Sequence, residues 1–312
     1  MSLLKWVGGK RQLLPQLRPF YPTSFNRYIE PFFGSGAVFF DLHRAGRLQG
    51  HDVVLIDSNA DLIGCYESVR EAPEAVAREL DALAAGHAQR GRAHYYDVRD
   101  RRFNPAREER RRADGRIAYT PELAAMLIYL NRTGFNGLFR VNASGAFNVP
   151  AGQYDRPRIA DPQRLAGVAE ALADSRVRLV WGSFETVDAL ADRHDFLYID
   201  PPYAPVSETA NFTAYTSARF DAVSQQLLQQ LVVMLARRGC HVLLSNSTAG
   251  EIAALYERNA EVLGAGLRTL KVPARRAVNS NAARRGPVDE FLITNISRTD
   301  DTRDTKGRIP VA

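Results

Sequence analysis

Short apolar runs closed by turn residues alternate along this chain with longer stretches of helical period, the pattern of an α/β fold built on a largely parallel sheet. Residues 27–31, 53–57, 177–181, 196–199, 241–246 and 287–295 predict strands, and 268–281 predicts another strand running into a basic loop. Helices are expected over 12–17, 38–45, 60–69, 73–88, 121–130, 162–173, 220–238 and 249–256, with Thr120 capping the one at 121–130. From about residue 67 to residue 116 the alternation gives way to Ala-rich helix and then to mixed charge, and the run at 107–112 reads as a solvated helix face. Residues 204–219 lack periodicity and predict a loop over the strand ends. The polar tail at 297–312 predicts disorder.

The run at 196–199 ends in Asp200-Pro201-Pro202-Tyr203. Proline cannot donate to a sheet ladder, and Pro202 disfavours helix at Pro201, so a strand stops here abruptly. A carboxylate, a rigid carbonyl and an aromatic ring are left together at a strand's carboxyl end, the edge where open α/β sheets bind ligands. A plain strand-ending turn would use the same residues. Their chemistry, however, suits activation of an exocyclic aromatic amine, whose lone pair is delocalised into its ring. With one hydrogen on Asp200 and the other on the Pro201 carbonyl, the nitrogen can pyramidalise, and Tyr203 offers a face on which a flat base stacks.

Two upstream features suit a nucleotide-like cofactor. Phe33-Gly34-Ser35-Gly36 forms a tight loop after the first strand, where glycine permits close backbone approach and a helix N-terminus follows. It lacks the third glycine of the dinucleotide fingerprint, and taken alone it fits a phosphate site as well. Asp57 ends the second strand at the spacing where a carboxylate meets ribose hydroxyls, and it stands equally ready to cap the following helix. Gly8-Gly9 is a further turn that permits close approach.

Residues 131–150 read as two short strands around the Ala143-Ser144-Gly145 turn. Arg132, Asn136 and Arg140, interleaved with aromatics, are the residue types that read base edges and stack on opened bases. An ordinary surface hairpin has the same outline.

Composition narrows the class without naming it. The 312 residues are 45% hydrophobic with a net charge of +6, enough apolar material for a substantial domain plus a smaller one and a balance that favours a polyanionic partner. The two cysteines exclude a disulfide framework, and neither they nor the six scattered histidines have zinc spacing. No metal is implied. No apolar run reaches the roughly 18 residues of a membrane span and no signal peptide is evident, so a cytoplasmic protein is expected.

Lys5-Trp6-Val7-Gly8-Gly9-Lys10, Pro31-Phe32-Phe33-Gly34-Ser35-Gly36 and Asp200-Pro201-Pro202-Tyr203, in that order, resemble the Dam-type, D12-class (alpha group) adenine-N6 DNA methyltransferases from about residue 4 to about residue 295. The resemblance implies a Rossmann-like class I methyltransferase domain from residues 1–66 and 157–297, with an inserted helical and β-hairpin target-recognition domain at 67–156 and a flexible tail at 298–312. It implies S-adenosyl-L-methionine as methyl donor, held by Trp6, Gly8, Gly9, Lys10, Phe33, Gly34, Ser35, Gly36, Asp57, Ser183, Phe184 and Asp200, with Asp200, Pro201 and Tyr203 as the catalytic set. It also implies double-stranded DNA as substrate: Lys5 and Arg132 at the target site, Phe135 wedged between base pairs, Asn136 on the duplex, and Leu138, Arg140 and Pro150 reading bases. GATC or a related GAT-containing site is the expected target, and a cognate restriction endonuclease acting separately is a possible partner. Basic residues at 275, 276, 284 and 285 are expected near phosphates. Two positions depart from the family pattern. Gln153 stands where an arginine is expected, and Ser183 where an acid usually receives the cofactor's adenine amine. Rival readings are an RNA adenine or cytosine-N4 enzyme, a silent DNA-binding homologue and, disfavoured by the missing glycine, a Rossmann oxidoreductase.

Overall fold

The structure is a computed structural model and describes residues 3–6, 8–203, 220–275 and 287–298. The expected loop at 204–219, Arg276, Arg284, Arg285, the Arg275 side chain and the tail beyond Arg298 lie outside the described residues.

Every strand expected from the apolar runs forms: β1 (Arg27–Pro31), β2 (Asp52–Asp57), β3 (Val177–Trp181), β4 (Phe196–Ile199), β5 (His241–Ser247), β6 (Arg268–Arg275) and β7 (Pro287–Thr294). They make one seven-stranded sheet in the order β3-β2-β1-β4-β5-β7-β6. The first five run parallel, whereas β7 enters antiparallel to both β5 and β6. The order reverses direction between β1 and β4, which is the topological switch point where such sheets open a crevice.

Alternation explains why these strands read as nearly continuous apolar runs. Ile29, Val54, Ile56, Leu197, Ile199, Val242 and Leu244 face one core, while Tyr28, Val53, Leu55, Phe196, Tyr198 and Leu243 face the other. The first core is covered by the Ala222–Arg238 and Gly250–Tyr256 helices, the second by the Ala37–Arg44 helix and by the helices inserted between β2 and β3.

Among those inserted helices, Pro73–Arg90 packs along Pro121–Thr133, which is buried for most of its length. The Thr120 cap is present, its Oγ1 accepting from Leu123 N at 3.2 Å. One expectation is corrected here. Residues 107–112 are not a uniformly solvated face: Arg107 is 6% exposed and makes a bidentate pair with Asp61 at 2.6 and 2.8 Å, joined by the Tyr119 hydroxyl at 2.9 Å. The hairpin around Ala143-Ser144-Gly145 forms with less strand than expected, through a Val141–Phe147 bridge and, at its base, a Gly134–Ala151 bridge. Its turn is closed locally by Asn142 Oδ1, which accepts from Ser144 N and Ala146 N.

Candidate active site

Period-two alternation builds the centre of the site. Tyr198 and Asp200 share one side of β4, Leu243 and Ser245 share the same side of β5, and the register pairing Ile199 with Leu244 sets Asp200 beside Ser245 at the carboxyl edge. Asp200 Oδ1 receives two hydrogen bonds, from Lys10 Nζ at 2.8 Å and from Ser245 Oγ at 3.1 Å. Lys10 is 6% exposed and also donates to Gly8 O at 2.7 Å, and its ammonium lies 4.3 Å from the Tyr203 ring centroid. Burial raises the Asp200 carboxyl above the usual carboxylate range, against the opposing pull of the Lys10 ammonium and the Ser245 hydroxyl.

The rest of the motif is held just as firmly. The Pro202 carbonyl accepts from Gln225 Nε2 at 3.1 Å, and Gln225 Oε1 in turn accepts from Asn246 at 3.0 Å, both side chains being buried. Pro201 is buried, and the carbonyl that Gln225 engages is its neighbour's. The Tyr203 hydroxyl donates to Glu290 on β7 at 2.6 Å. Ser245 and Asn246 do not cap the next helix; Ala249 occupies that place without a side-chain bond. Sequence reading had no means of finding Gln225 or Glu290, because neither belongs to a local motif.

The glycine loop meets the acid of β2. Gly34, at φ +49°, donates its amide to Asp57 Oδ2 at 2.9 Å, and Asn59 N donates to Asp57 Oδ1 at 2.9 Å. Burial pushes Asp57 up to about 6. The helix cap that Asp57 might have been is Asn59, whose Oδ1 accepts from Leu62 N at 3.1 Å. Gly36, at φ +63°, has no room for a Cβ, which would fall 2.5 Å from the Phe33 ring. Phe33 itself is 1% exposed inside the core, so the loop can offer a ligand its backbone but not its ring. Phe32 takes the outward position instead, stacked on Phe184 at 5.3 Å and edge-on to Phe220. Trp6 covers Gly34, and Gly9 N donates to Trp6 O at 3.1 Å beside the buried Ser35. Ser183 Oγ donates to Glu185 Oε2 at 2.9 Å, which restores a carboxylate two residues past the position where one was missing.

This edge therefore brings the glycine loop and Asp57 over β1–β3 together with the pinned Asp200 carboxylate at β4. The family profile of D12 class N6 adenine-specific DNA methyltransferases matches residues 6–270. The chain belongs to that family. It is 35% identical over 294 residues to the type II methyltransferase M1.LlaDCHI of Lactococcus lactis subsp. cremoris, covering 93% of this chain and 94% of that one. To M.MjaIII of Methanocaldococcus jannaschii it is 35% identical over 303 residues (94% and 98%), and to the DNA adenine methylase of Escherichia coli K12 34% over 303 residues (93% and 94%). The protein is thus a site-specific, adenine-specific DNA methyltransferase, and the order of its three motifs had implied as much.

The DNA-facing candidates of this adenine methyltransferase fall into two groups. Phe135 is 48% exposed, and Asn136 stands beside it in the left-handed region at φ +53°, a conformation asparagine tolerates better than most residues. The Phe135 amide donates to the exposed Pro150 at 2.9 Å, half-buried Leu138 follows, and Arg140 Nε donates to Asn148 Oδ1 at 2.7 Å. Arg132 is placed differently. It is 6% exposed, gives its guanidinium to the carbonyls of Leu3 and Arg158, and burial pushes it down to about 10. Lys5 donates to Arg132 O at 3.2 Å and lies 4.1 Å from the Tyr154 ring centroid. Asn131, also missed from sequence, joins these groups by bonding both Lys5 backbone atoms and Gly137 O. Among the described residues no helix is long and apolar enough to cross a membrane, and no cluster of ligating side chains could hold a metal ion.

Proposed function

We propose that the enzyme transfers the methyl group of S-adenosyl-L-methionine to N6 of an adenine flipped out of duplex DNA, within GATC or a related GAT-containing site. The observation that carries this reading is the pinning of Asp200 Oδ1 by Lys10 and Ser245 at the same sheet edge where Gly34 and Asp57 close the cofactor loop. The donor's groups fit what the chain offers: a vicinal diol for Asp57, a flat base for Phe184 with Ser183 and Glu185 beside it, and an amino-acid end for the Trp6, Gly8, Gly9, Lys10 and Ser35 turn. When bound, S-adenosyl-L-methionine supplies an electrophilic methyl on a sulfonium sulfur.

The chain's task is to bring the adenine amine to that methyl. Flipping costs a few kcal/mol, and the exposed Phe135 fits the space a flipped base leaves. Asp200 and the Pro201 carbonyl then accept the two amine hydrogens and free the lone pair, while Tyr203 provides a stacking face. Held by those residues, the donor would supply its methyl to that lone pair, the C–S electron pair returning to sulfur. The surplus proton on N6 leaves to water. Proximity of the two bound reactants supplies much of the acceleration.

On the DNA side, Arg140, Leu138 and Pro150 read bases and Asn136 meets the duplex. Lys5, Arg132 and Arg164 line two adjoining clefts of about 490 and 530 Å³ that suit the negatively charged backbone. Gln153 borders the second cleft next to Arg156 and Arg158, neighbours that supply positive charge where the expected arginine is absent. The division of labour is that of a catalytic domain from 1–66 and 157–297 and a recognition domain at 67–156, working without a metal. A separately acting endonuclease partner fits the type II methyltransferases among the relatives. The test is to incubate the protein with S-adenosyl-L-methionine and unmethylated plasmid and map modified bases by single-molecule sequencing. N6-methyladenine confined to GATC is the expected result. Another motif overturns the site assignment alone, and no modification despite bound donor overturns the DNA reading.

A further inference from the structure

We propose that Ser245 is a positioning residue for methyl transfer: with Lys10 it commits Oδ1 of Asp200, so that Oδ2 is the oxygen that receives the amine hydrogen of the target base. This rests on Asp200 being the amine acceptor, as argued above. Both hydrogen bonds to the carboxylate fall on Oδ1, at 2.8 Å from Lys10 and 3.1 Å from Ser245, and among the described residues Oδ2 carries none. Two donors on one oxygen fix the rotation of the carboxylate, because turning it would break both at once.

Ser245 is itself held in place. Its single hydroxyl proton goes to Asp200, so the Tyr198 hydroxyl, 3.1 Å away, is the donor to Ser245 Oγ. Tyr198 is 1% exposed and Ser245 fully buried, so no water competes along this line. The order Tyr198 to Ser245 to Asp200 polarises each bond in the direction that favours an ionised carboxylate. Asn246, the next residue of β5, performs the matching service for Pro202 through Gln225, so one strand end supports both halves of the motif. A protonated Oδ2 would donate rather than accept, and activity therefore requires the ionised acid.

The experiment compares wild type, Ser245→Ala and Tyr198→Phe. N6-methyladenine formation on unmethylated plasmid DNA is followed across pH, with kcat, KM for DNA, KM for the methyl donor and thermal unfolding measured in parallel. Loss of the donor to a charged group should lower kcat about tenfold in Ser245→Ala, leave both KM values within about twofold, and move the acidic limb of the kcat profile up by roughly one pH unit. Tyr198→Phe should move the limb the same way by less, and its folding is checked independently by the melting curve. A limb that stays at the wild-type position in both variants overturns the proposal, even if rate or melting temperature falls, because a structural serine would do that much. A rise in KM at constant kcat overturns it too. A wild-type enzyme that binds the donor yet makes no N6-methyladenine removes the reading of Asp200, and with it this proposal.

Discussion

The carboxyl edge of the sheet and the hairpin proposed to read DNA are built on opposite plans. At the edge, Asp200, Pro202 and Tyr203 each have a named partner, and Lys10, Ser245, Gln225 and Asn246 are all nearly or wholly buried. At the hairpin, Phe135 and Asn136 face solvent, the strands pair through two isolated bridges, and attachment to the body combines the buried Phe147 and Val149 with polar clamps: Asn131 to Lys5 and Gly137, and Arg107 to Asp61 and the Gly145 carbonyl. Chemistry needs groups fixed before the substrate arrives, since reorganisation during the reaction raises the barrier. Reading a duplex needs a surface that can settle into a groove. The two demands are met within one chain by placing buried polar ties under the catalytic motif and under the hairpin turn, while Phe135 and Asn136 stay exposed.

The comparison breaks most visibly at Asp200. Asp200→Ala is expected to lower methyl transfer by at least about 10³-fold while the protein still folds, as read by N6-methyladenine formation and circular dichroism. Asp200→Asn sharpens the result, because its amide oxygen can still accept from Lys10 and Ser245 whereas its NH₂ presents a donor where an acceptor is needed; near-normal turnover in either variant would sink the mechanism. Next in size is Arg107→Ala, which strands the buried Asp61 carboxylate. Removing one partner of such a pair costs about 3–5 kcal/mol, to be read as a loss of stability in denaturant unfolding. A variant as stable as wild type would mean that the clamp does not hold the hairpin. Smaller again is Phe135→Ala: if the ring replaces stacking worth about 1–3 kcal/mol, kcat/KM for DNA falls by roughly 5- to 150-fold. Affinity for the methyl donor should not change, and if it does the two regions are less separate than drawn here.

Legibility in the sequence follows the same division. Asp200-Pro201-Pro202-Tyr203 and the glycine loop were readable because proline and glycine restrict the backbone locally, and the strands were readable because burial on both faces leaves few alternatives to apolar runs. What escaped was set by distance along the chain. Lys10 was assigned to the cofactor and not to Asp200, Asn131 reaches Lys5 across 126 positions, and Ser245 meets Asp200 only through the pairing of two strands 45 positions apart. Charge patterning also misled where burial decides. Arg107 sits in a run of charges yet is inside, and Arg132 keeps its guanidinium on backbone carbonyls rather than displaying it. Phe33 and Phe32 were distinguishable only once the positive φ of Phe32 had turned its ring outward.

The smallest expected effect concerns an acid that neither region uses directly. Glu30 lies on β1, on the same side as Tyr28, is 2% exposed, and accepts on Oε2 from the Tyr28 hydroxyl at 2.7 Å and from Phe39 N at 3.1 Å. Burial pushes it up to about 8, reinforced by the charge of Asp200 and opposed by those two donors. The folded protein therefore keeps this proton at neutrality, whereas the unfolded chain has lost it above the ordinary glutamate value of about 4.3. Folding takes up a proton across that window, so stability falls as pH rises from about 4 to about 8 and then levels off. Glu30→Gln mimics the protonated acid and cannot ionise. It should melt close to wild type at pH 5 and several degrees higher at pH 8, with a flatter pH–stability curve between them. Equal slopes in the two proteins would mean that Glu30 ionises freely in the fold. In that case the catalytic edge would carry one more buried charge, and Asp200 would depend on Lys10 more heavily than its two hydrogen bonds suggest.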